Sequence, residues 1–127
     1  MRIYQILINL TGNAIKFTEK GSIIIKLKFL NETQKNVKVN FSVKDTGIGI
    51  YEDQIENIFE RFTQAGKDIA RKYGGSGLGL SISKDLVKLH NSDLKVKSKI
   101  GKGTKFYFDI FLYLIRLIIS YLFIILR

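Results

Sequence analysis

The chain has 127 residues, with 21 lysines and arginines against 11 aspartates and glutamates, a single histidine, and neither cysteine nor proline. That length supports one domain with its own core. The missing cysteines exclude disulfides, thiolate zinc sites and thiol catalysis, and His90 alone cannot build a histidine metal cluster. A net charge of +10 implies an anionic partner: a nucleotide, a nucleic acid, an acidic protein or a membrane surface. The lysines are scattered over strands and loops and aromatics do not interleave with them as in a stacking platform, which argues against nucleic acid.

The first stretch, MRIYQILINLTGNAIKFT, predicts a helix over residues 1–18. Ile3, Leu7, Leu10, Ala14 and Phe17 recur at steps of three and four and form one apolar face. Arg2, Gln5, Asn9, Asn13 and Lys16 line the opposite side. Asn is a poor helix-interior residue because its side chain competes for backbone hydrogen bonds. Two of them one turn apart fit either a solvated face or a phosphate and magnesium site. Amide oxygens suit Mg²⁺ shared with phosphates, and Lys16 adds a point charge for them.

After a turn at 19–22, residues 23–30 and 37–44 read as two strands of an antiparallel hairpin. Val37, Val39, Phe41 and Val43 alternate there with polar residues. The following Asp45-Thr46-Gly47-Ile48-Gly49 suits a close backbone approach to a flat ligand, with a carboxylate to accept a hydrogen bond, although alone it also fits a plain turn. Residues 51–62 predict a short helix with Ile55, Ile58, Phe59 and Phe62 on its apolar side. Residues 63–73 lack a period and read as a loop running into Gly74-Gly75-Ser76-Gly77-Leu78-Gly79. These glycines open a helix over 80–90, with Ile82, Leu86 and Leu89 toward the core. A glycine-rich turn at a helix N-terminus offers N–H groups to an anion, or else serves as a hinge. His90, at the helix end, reads as a capping or surface residue. A short strand over 92–98 points Leu94 and Val96 inward, and a last strand alternates Phe106, Phe108 and Ile110.

The tail, FLYLIRLIISYLFIILR over 111–127, is nearly all apolar. Its uninterrupted part falls short of the roughly 20 residues of a spanning helix. It reads as a membrane-contacting segment, a packing extension or a non-native addition.

Taken together, these motifs resemble the ATP-binding catalytic domain of sensor histidine kinases, within the wider group of gyrase, mismatch-repair ATPases and heat-shock chaperones. RIYQILINLTGNAIKFT looks like that family's N box, DTGIG its G1 box, IFERFTQ its F box and GGSGLGL its G2 box. SKIGKGTKFYF looks like the region closing the site, and RKYGGSGLGLSI is most like hybrid-type kinases. The resemblance runs from Arg2 to about Ile110.

It implies an α/β two-layer sandwich of the Bergerat type, a mixed and mainly antiparallel sheet with helices on one face. Residues 1–110 would form the catalytic domain and 111–127 the hydrophobic tail. The implied cofactors are ATP and Mg²⁺. Asn13 would coordinate the metal, with Asn9 beside it and Lys16 near the phosphates. Asp45 would accept from the adenine amine, with Gly47 and Gly49 shaping the pocket. Arg71, Lys72 and Tyr73 would belong to an ATP lid that Gly75, Gly77, Leu78 and Gly79 let close. Thr104 would support the adenine end, and Phe59 and Phe62 would couple lid to core.

In hydrolysing relatives a Glu stands where this chain has Asn9, which cannot act as a general base. The implied reaction is therefore phosphoryl transfer to a histidine on a separate phosphoacceptor domain, absent from this chain, with a response regulator downstream. The implied location is cytoplasmic, with membrane association through the tail. Rival readings are a degenerate fragment that only holds nucleotide and a membrane-attached interaction protein. Asn91-Ser92 stands where the family commonly has a Gly pair, which implies a looser loop.

Overall fold

The computed structural model describes residues 2–33, 35–60 and 79–113. In chain order these form helix α1 (Ile3–Phe17), strands β1 (Ile23–Glu32) and β2 (Asn36–Asp45), a 3-10 helix (Glu52–Asn57), helix α2 (Gly79–Leu89), and strands β3 (Lys95–Lys99) and β4 (Gly103–Tyr113). The strands make one sheet in the order β1-β2-β4-β3. Every pairing among the described strands is antiparallel, so the expected admixture of parallel strands is not seen within them.

The alternation in β2 and β4 sets the inner face. The register aligns Leu27, Phe41 and Phe108 across three strands, with Phe29, Val39 and Ile110 in the next inner row. The Phe41 and Phe108 rings stack with centroids 5.3 Å apart. Helix α1 covers this face with Ile6, Leu10 and Ala14, and α2 packs against α1. Each large side chain fully buried here contributes about 1.5–3 kcal/mol. Truncating Ile6 or Leu10 to Ala would leave a cavity beneath α1 costing about 2–5 kcal/mol.

The buried faces of both helices differ from those expected. In α1 the fully buried line is Ile6, Leu10 and Ala14, while Ile3, Leu7 and Phe17 are only partly covered. Ile8 and Ile15 are exposed, so apolar residues surround the helix and the stripe turns toward Ile6. In α2 the buried residues are Ser81, Ser83 and Val87, whereas Ile82 and Leu89 are exposed and Leu86 is partly covered. Small side chains line the packed face, and hydrophobicity alone points elsewhere. The expected helix over 51–62 is a single 3-10 stretch: Tyr51 provides no side-chain cap, and Gln54 N–H donates to the Tyr51 carbonyl three residues back. Phe62 lies outside the described residues.

β1 is an edge strand. Its inner side chains Ile25, Leu27 and Phe29 are 48%, 54% and 73% exposed, so the cover supplied by the helices thins along it. β4 continues the sheet three residues past Ile110, with Leu112 buried on the inner face.

Helix α2 ends in a tight cap. Asn91 adopts φ +57, its N–H donates to the Lys88 carbonyl at 2.9 Å, and Ser92 N–H donates to the Val87 carbonyl at 3.3 Å. This is the Schellman pattern, with Asn in the position glycine usually takes and His90 as the residue ending the helix. The turn expected to be looser is a fully hydrogen-bonded cap.

Candidate functional site

The site is organised by the loop leaving β2. Asp45, the last residue of that strand, is buried, and its Oδ1 accepts from Gly47 N–H at 2.9 Å and Thr104 N–H at 3.2 Å. Asp45 and Thr104 are also register partners in β2 and β4. Two backbone donors share one oxygen, and Oδ2 has no partner among the described residues. Burial raises the Asp45 pKa, and the bonds from Gly47 and Thr104 pull it partly back down. The result is an acceptor fixed in direction on a largely buried side chain.

Residues 46–49 are held from three sides. Thr46 N–H donates to the Ser22 carbonyl at 3.1 Å, and its hydroxyl accepts from Ser22 N–H at 2.9 Å. Ile48 N–H donates to the Phe17 carbonyl at 3.2 Å, tying the loop to the end of α1. Its own carbonyl accepts from Gly101 N–H at 2.9 Å in the β3–β4 turn. Two glycines make this fit. A Cβ on Gly47 would collide with the Phe17 carbonyl oxygen, and one on Gly49, whose φ is +76, with the Lys99 carbonyl oxygen.

Ser98 fastens the floor. Its hydroxyl accepts from Ile50 N–H at 2.8 Å and donates to the Gly103 carbonyl at 3.0 Å. It also lies 2.7 Å from the Thr104 hydroxyl, which is then the donor in that bond. The sequence reading did not single out Ser98, Thr46 or Gly103. For Ser98 a signal existed: it continues the inward parity of Leu94 and Val96 with a polar residue.

Of the sequence-predicted site residues, Asp45, Gly47, Gly49 and Thr104 are brought together. Asn9 and Asn13 are half-buried on one side of α1, and Lys16 is exposed in its last turn. The Asn9 Oδ1 accepts from Gln5 Nε2 at 3.0 Å. The Asn13 amide makes no hydrogen bond among the described residues. Gly79 opens α2, and an added Cβ there would meet nothing within 4 Å. Phe59 is half-buried, meets Phe106 edge-to-face at 6.2 Å, and has the Lys84 ammonium 4.6 Å from its centroid. Arg71, Lys72, Tyr73, Gly75, Gly77 and Leu78 lie outside the described residues.

Comparison with known proteins places this geometry. The family described as histidine kinase-, DNA gyrase B- and HSP90-like ATPase matches residues 1–114. The chain is 47% identical over 106 residues to the sensor histidine kinase AruS of Pseudomonas aeruginosa, covering 84% of this chain and 11% of that protein. It is 46% identical over 109 residues to the hybrid signal transduction histidine kinase B of Dictyostelium discoideum, covering 86% of this chain and 6% of that one. The chain thus spans a small part of the curated relatives it matches. Among solved structures, full-length ShkA in complex with AMPPNP aligns with a TM-score of 0.73 and 35% identity, over 88% of this chain and 22% of that one. The catalytic domain of histidine kinase ThkA aligns with a TM-score of 0.61 and 31% identity, over 86% of this chain and 65% of that one. This chain belongs to the histidine kinase-, DNA gyrase B- and HSP90-like ATPase family.

Proposed function

We propose that the chain binds Mg-ATP and donates the γ-phosphoryl group to a histidine on a phosphoacceptor domain, in two-component signalling with a response regulator downstream. The observation that carries this reading is Asp45: a buried carboxylate with one oxygen held by two backbone N–H groups and the other left for a donor. An exocyclic adenine amine is such a donor. The complex of ShkA with AMPPNP supports an adenine nucleotide as the ligand.

The residues present also fit a magnesium ion. Asn13 offers a neutral, half-buried amide oxygen, and no group of three or more His, Asp or Glu that could hold a metal occurs among the described residues. The ion would therefore share phosphate oxygens with Asn13, and when bound it offsets charge on the transferring phosphoryl group. Lys16 adds a cation at the end of the same helix. Asn9, held by Gln5, is an amide and takes no proton from water, so the site positions ATP without activating hydrolysis. The lid assigned to Arg71, Tyr73, Gly75, Gly77, Leu78 and Gly79 belongs to this proposal, as does lipid contact through residues 111–127.

Calorimetry with ATP and Mg²⁺ tests the binding step, with Asn13→Ala and Asp45→Ala beside the parent chain. Loss of binding in both variants supports the site, and a folded parent chain without affinity overturns it. Transfer is tested with labelled ATP and an isolated phosphoacceptor domain. Label on its histidine is expected, with little free phosphate released. Rapid ATP hydrolysis that Asn9→Ala abolishes would overturn the transfer reading.

A further inference from the structure

The sheet face turned away from α1 carries a charge arrangement that nucleotide binding does not use. The register sets Lys44, Lys105 and Lys97 side by side across β2, β4 and β3. Tyr107 adjoins this row, with the Lys97 and Lys105 ammonium groups 5.6 and 5.4 Å from its centroid. Like charges directly opposite on neighbouring strands destabilise a sheet, so the row is kept against the interest of the fold. The acidic Asp109 on this face is already engaged, accepting from Asn40 Nδ2 at 2.7 Å and facing Lys38 Nζ at 3.8 Å.

Farther along the same face, Phe111 and Tyr113 are both more than half exposed, and Lys38 lies 5.6 Å from the Phe111 centroid. β4 ends at Tyr113, and the chain continues as LIRLIISYLFIILR, whose only charges are Arg116 and Arg127. Basic Lys105, the aromatics Tyr107, Phe111 and Tyr113, and then the apolar segment follow one another in the sequence. Headgroups, interface and acyl boundary of a bilayer present the complementary series. An apolar segment too short to span gives weak, reversible attachment by itself, and a polybasic patch is the second signal that makes attachment stable.

We propose that this outer face docks on an anionic phospholipid surface, with Lys44, Lys97 and Lys105 toward headgroup phosphates and Phe111 and Tyr113 at the interface. A nucleic acid or an acidic protein would use the lysines but leave the aromatics and the apolar continuation without a role. The face is carried by Lys44, Lys97, Lys105, Phe111 and Tyr113, the reading of residues 111–127 as lipid-contacting adds to it, and neither depends on the nucleotide reading.

The test is co-sedimentation of the full chain with vesicles of phosphatidylcholine alone and of equal parts phosphatidylcholine and phosphatidylserine, at low and high salt. Binding to the anionic vesicles that falls with salt is expected. Lys44→Glu/Lys97→Glu should weaken it about 30-fold or more, since each lysine near such a surface contributes appreciably. That variant places Lys105 between two carboxylates, which favours the fold, and a melting temperature at or above the parent's checks this. Lys20→Glu/Lys88→Glu changes net charge equally away from the face and should weaken binding far less. Equal losses in the two variants would overturn the docking face. Equal binding to both vesicle types, or stronger retention on polyuridylate than on the anionic vesicles, would overturn the lipid assignment. Leu122→Asp separates the tail: anionic-vesicle binding that survives it yet still needs Lys44 and Lys97 leaves the face standing and the tail reading refuted.

Discussion

Asp45 and Thr104 are joined twice: they are cross-strand partners at the end of the β2–β4 ladder, and the Thr104 N–H donates to the Asp45 carboxylate at 3.2 Å. The sheet itself therefore aims the acceptor. Replacing Asp45 by Asn preserves an oxygen for both backbone donors but removes the charge. ATP affinity should fall by roughly 10- to 100-fold, the range of a hydrogen bond to a charged group. Calorimetry reads this directly.

The same carboxylate gives a pH dependence whose sign is fixed. Burial raises its folded pKa above the ordinary 3.8, although the Gly47 and Thr104 bonds oppose the rise. The folded chain then keeps this proton to higher pH than the unfolded chain, so the contribution of Asp45 to stability declines as pH rises from 3.8 through the raised value. Binding of a donor runs the other way, since the ionised form is required, and weakens as pH falls through the raised value. Asp45→Asn should flatten the stability profile in that interval and raise Tm at neutral pH while weakening ATP binding. Thermal melts across an acid-to-neutral series check the pair of effects.

Three glycines near the site should respond differently to alanine. Gly47→Ala and Gly49→Ala drive a methyl into backbone carbonyls of Phe17 and Lys99, and each should cost about 1–3 kcal/mol. Gly79→Ala meets open space at the start of α2 and should be neutral or stabilising by up to about 1 kcal/mol. Denaturant melts give the three values. Since Gly79→Ala leaves the fold intact, its ATP affinity then tests the lid role assigned to that residue.

Much of this was legible in the sequence, and the failures have physical causes. β2 and β4 alternate strictly because one face is buried, so Val37 to Val43 and Phe106 to Ile110 identify their own inner side. The spacing of Asp45, Gly47 and Gly49 allowed a close backbone approach or a plain turn, and only the family resemblance added Thr104; the structure brings the four together. The α2 face was not: Ser81 and Ser83 are buried there, and Ile82 and Leu89 are exposed, so apolar periodicity pointed to the wrong side. In α1, apolar residues lie on several sides, and the periodicity picked the line through Ile3 and Leu7 where the structure buries Ile6. Ser98 ties its cross-strand neighbours Gly103 and Thr104 to the distant Ile50 N–H, and only tertiary structure makes that last link.

The cap of α2 offers a stabilising change. Asn91 holds φ +57, which Asn tolerates and glycine adopts without a Cβ penalty. Asn91→Gly should raise stability by about 0.5–1 kcal/mol, with slower hydrogen exchange at the Asn91 and Ser92 positions and no change in ATP affinity.

Lys105 stands between Lys44 and Lys97 in adjacent strands. Lys105→Glu converts two repulsive neighbours into attractive ones and should stabilise the sheet by about 0.4–2 kcal/mol, at 0.2–1 kcal/mol per pair. Melts at low and high salt check it, and the gain should shrink as salt screens the pairs.

The free oxygen of Asp45 also carries a consequence for selectivity. An ionised carboxylate accepts and cannot donate, so it favours a purine bearing an amine at that edge and repels one bearing a carbonyl. Adenine and guanine triphosphates are alike in ribose and phosphates and differ at that position. Discrimination between the two cellular pools would then fall to one strand-end side chain, supported by the amides of Gly47 and Thr104. Under the proposed function, the residues assigned to the phosphates are then free to drift toward tighter or looser grip without altering which base is admitted.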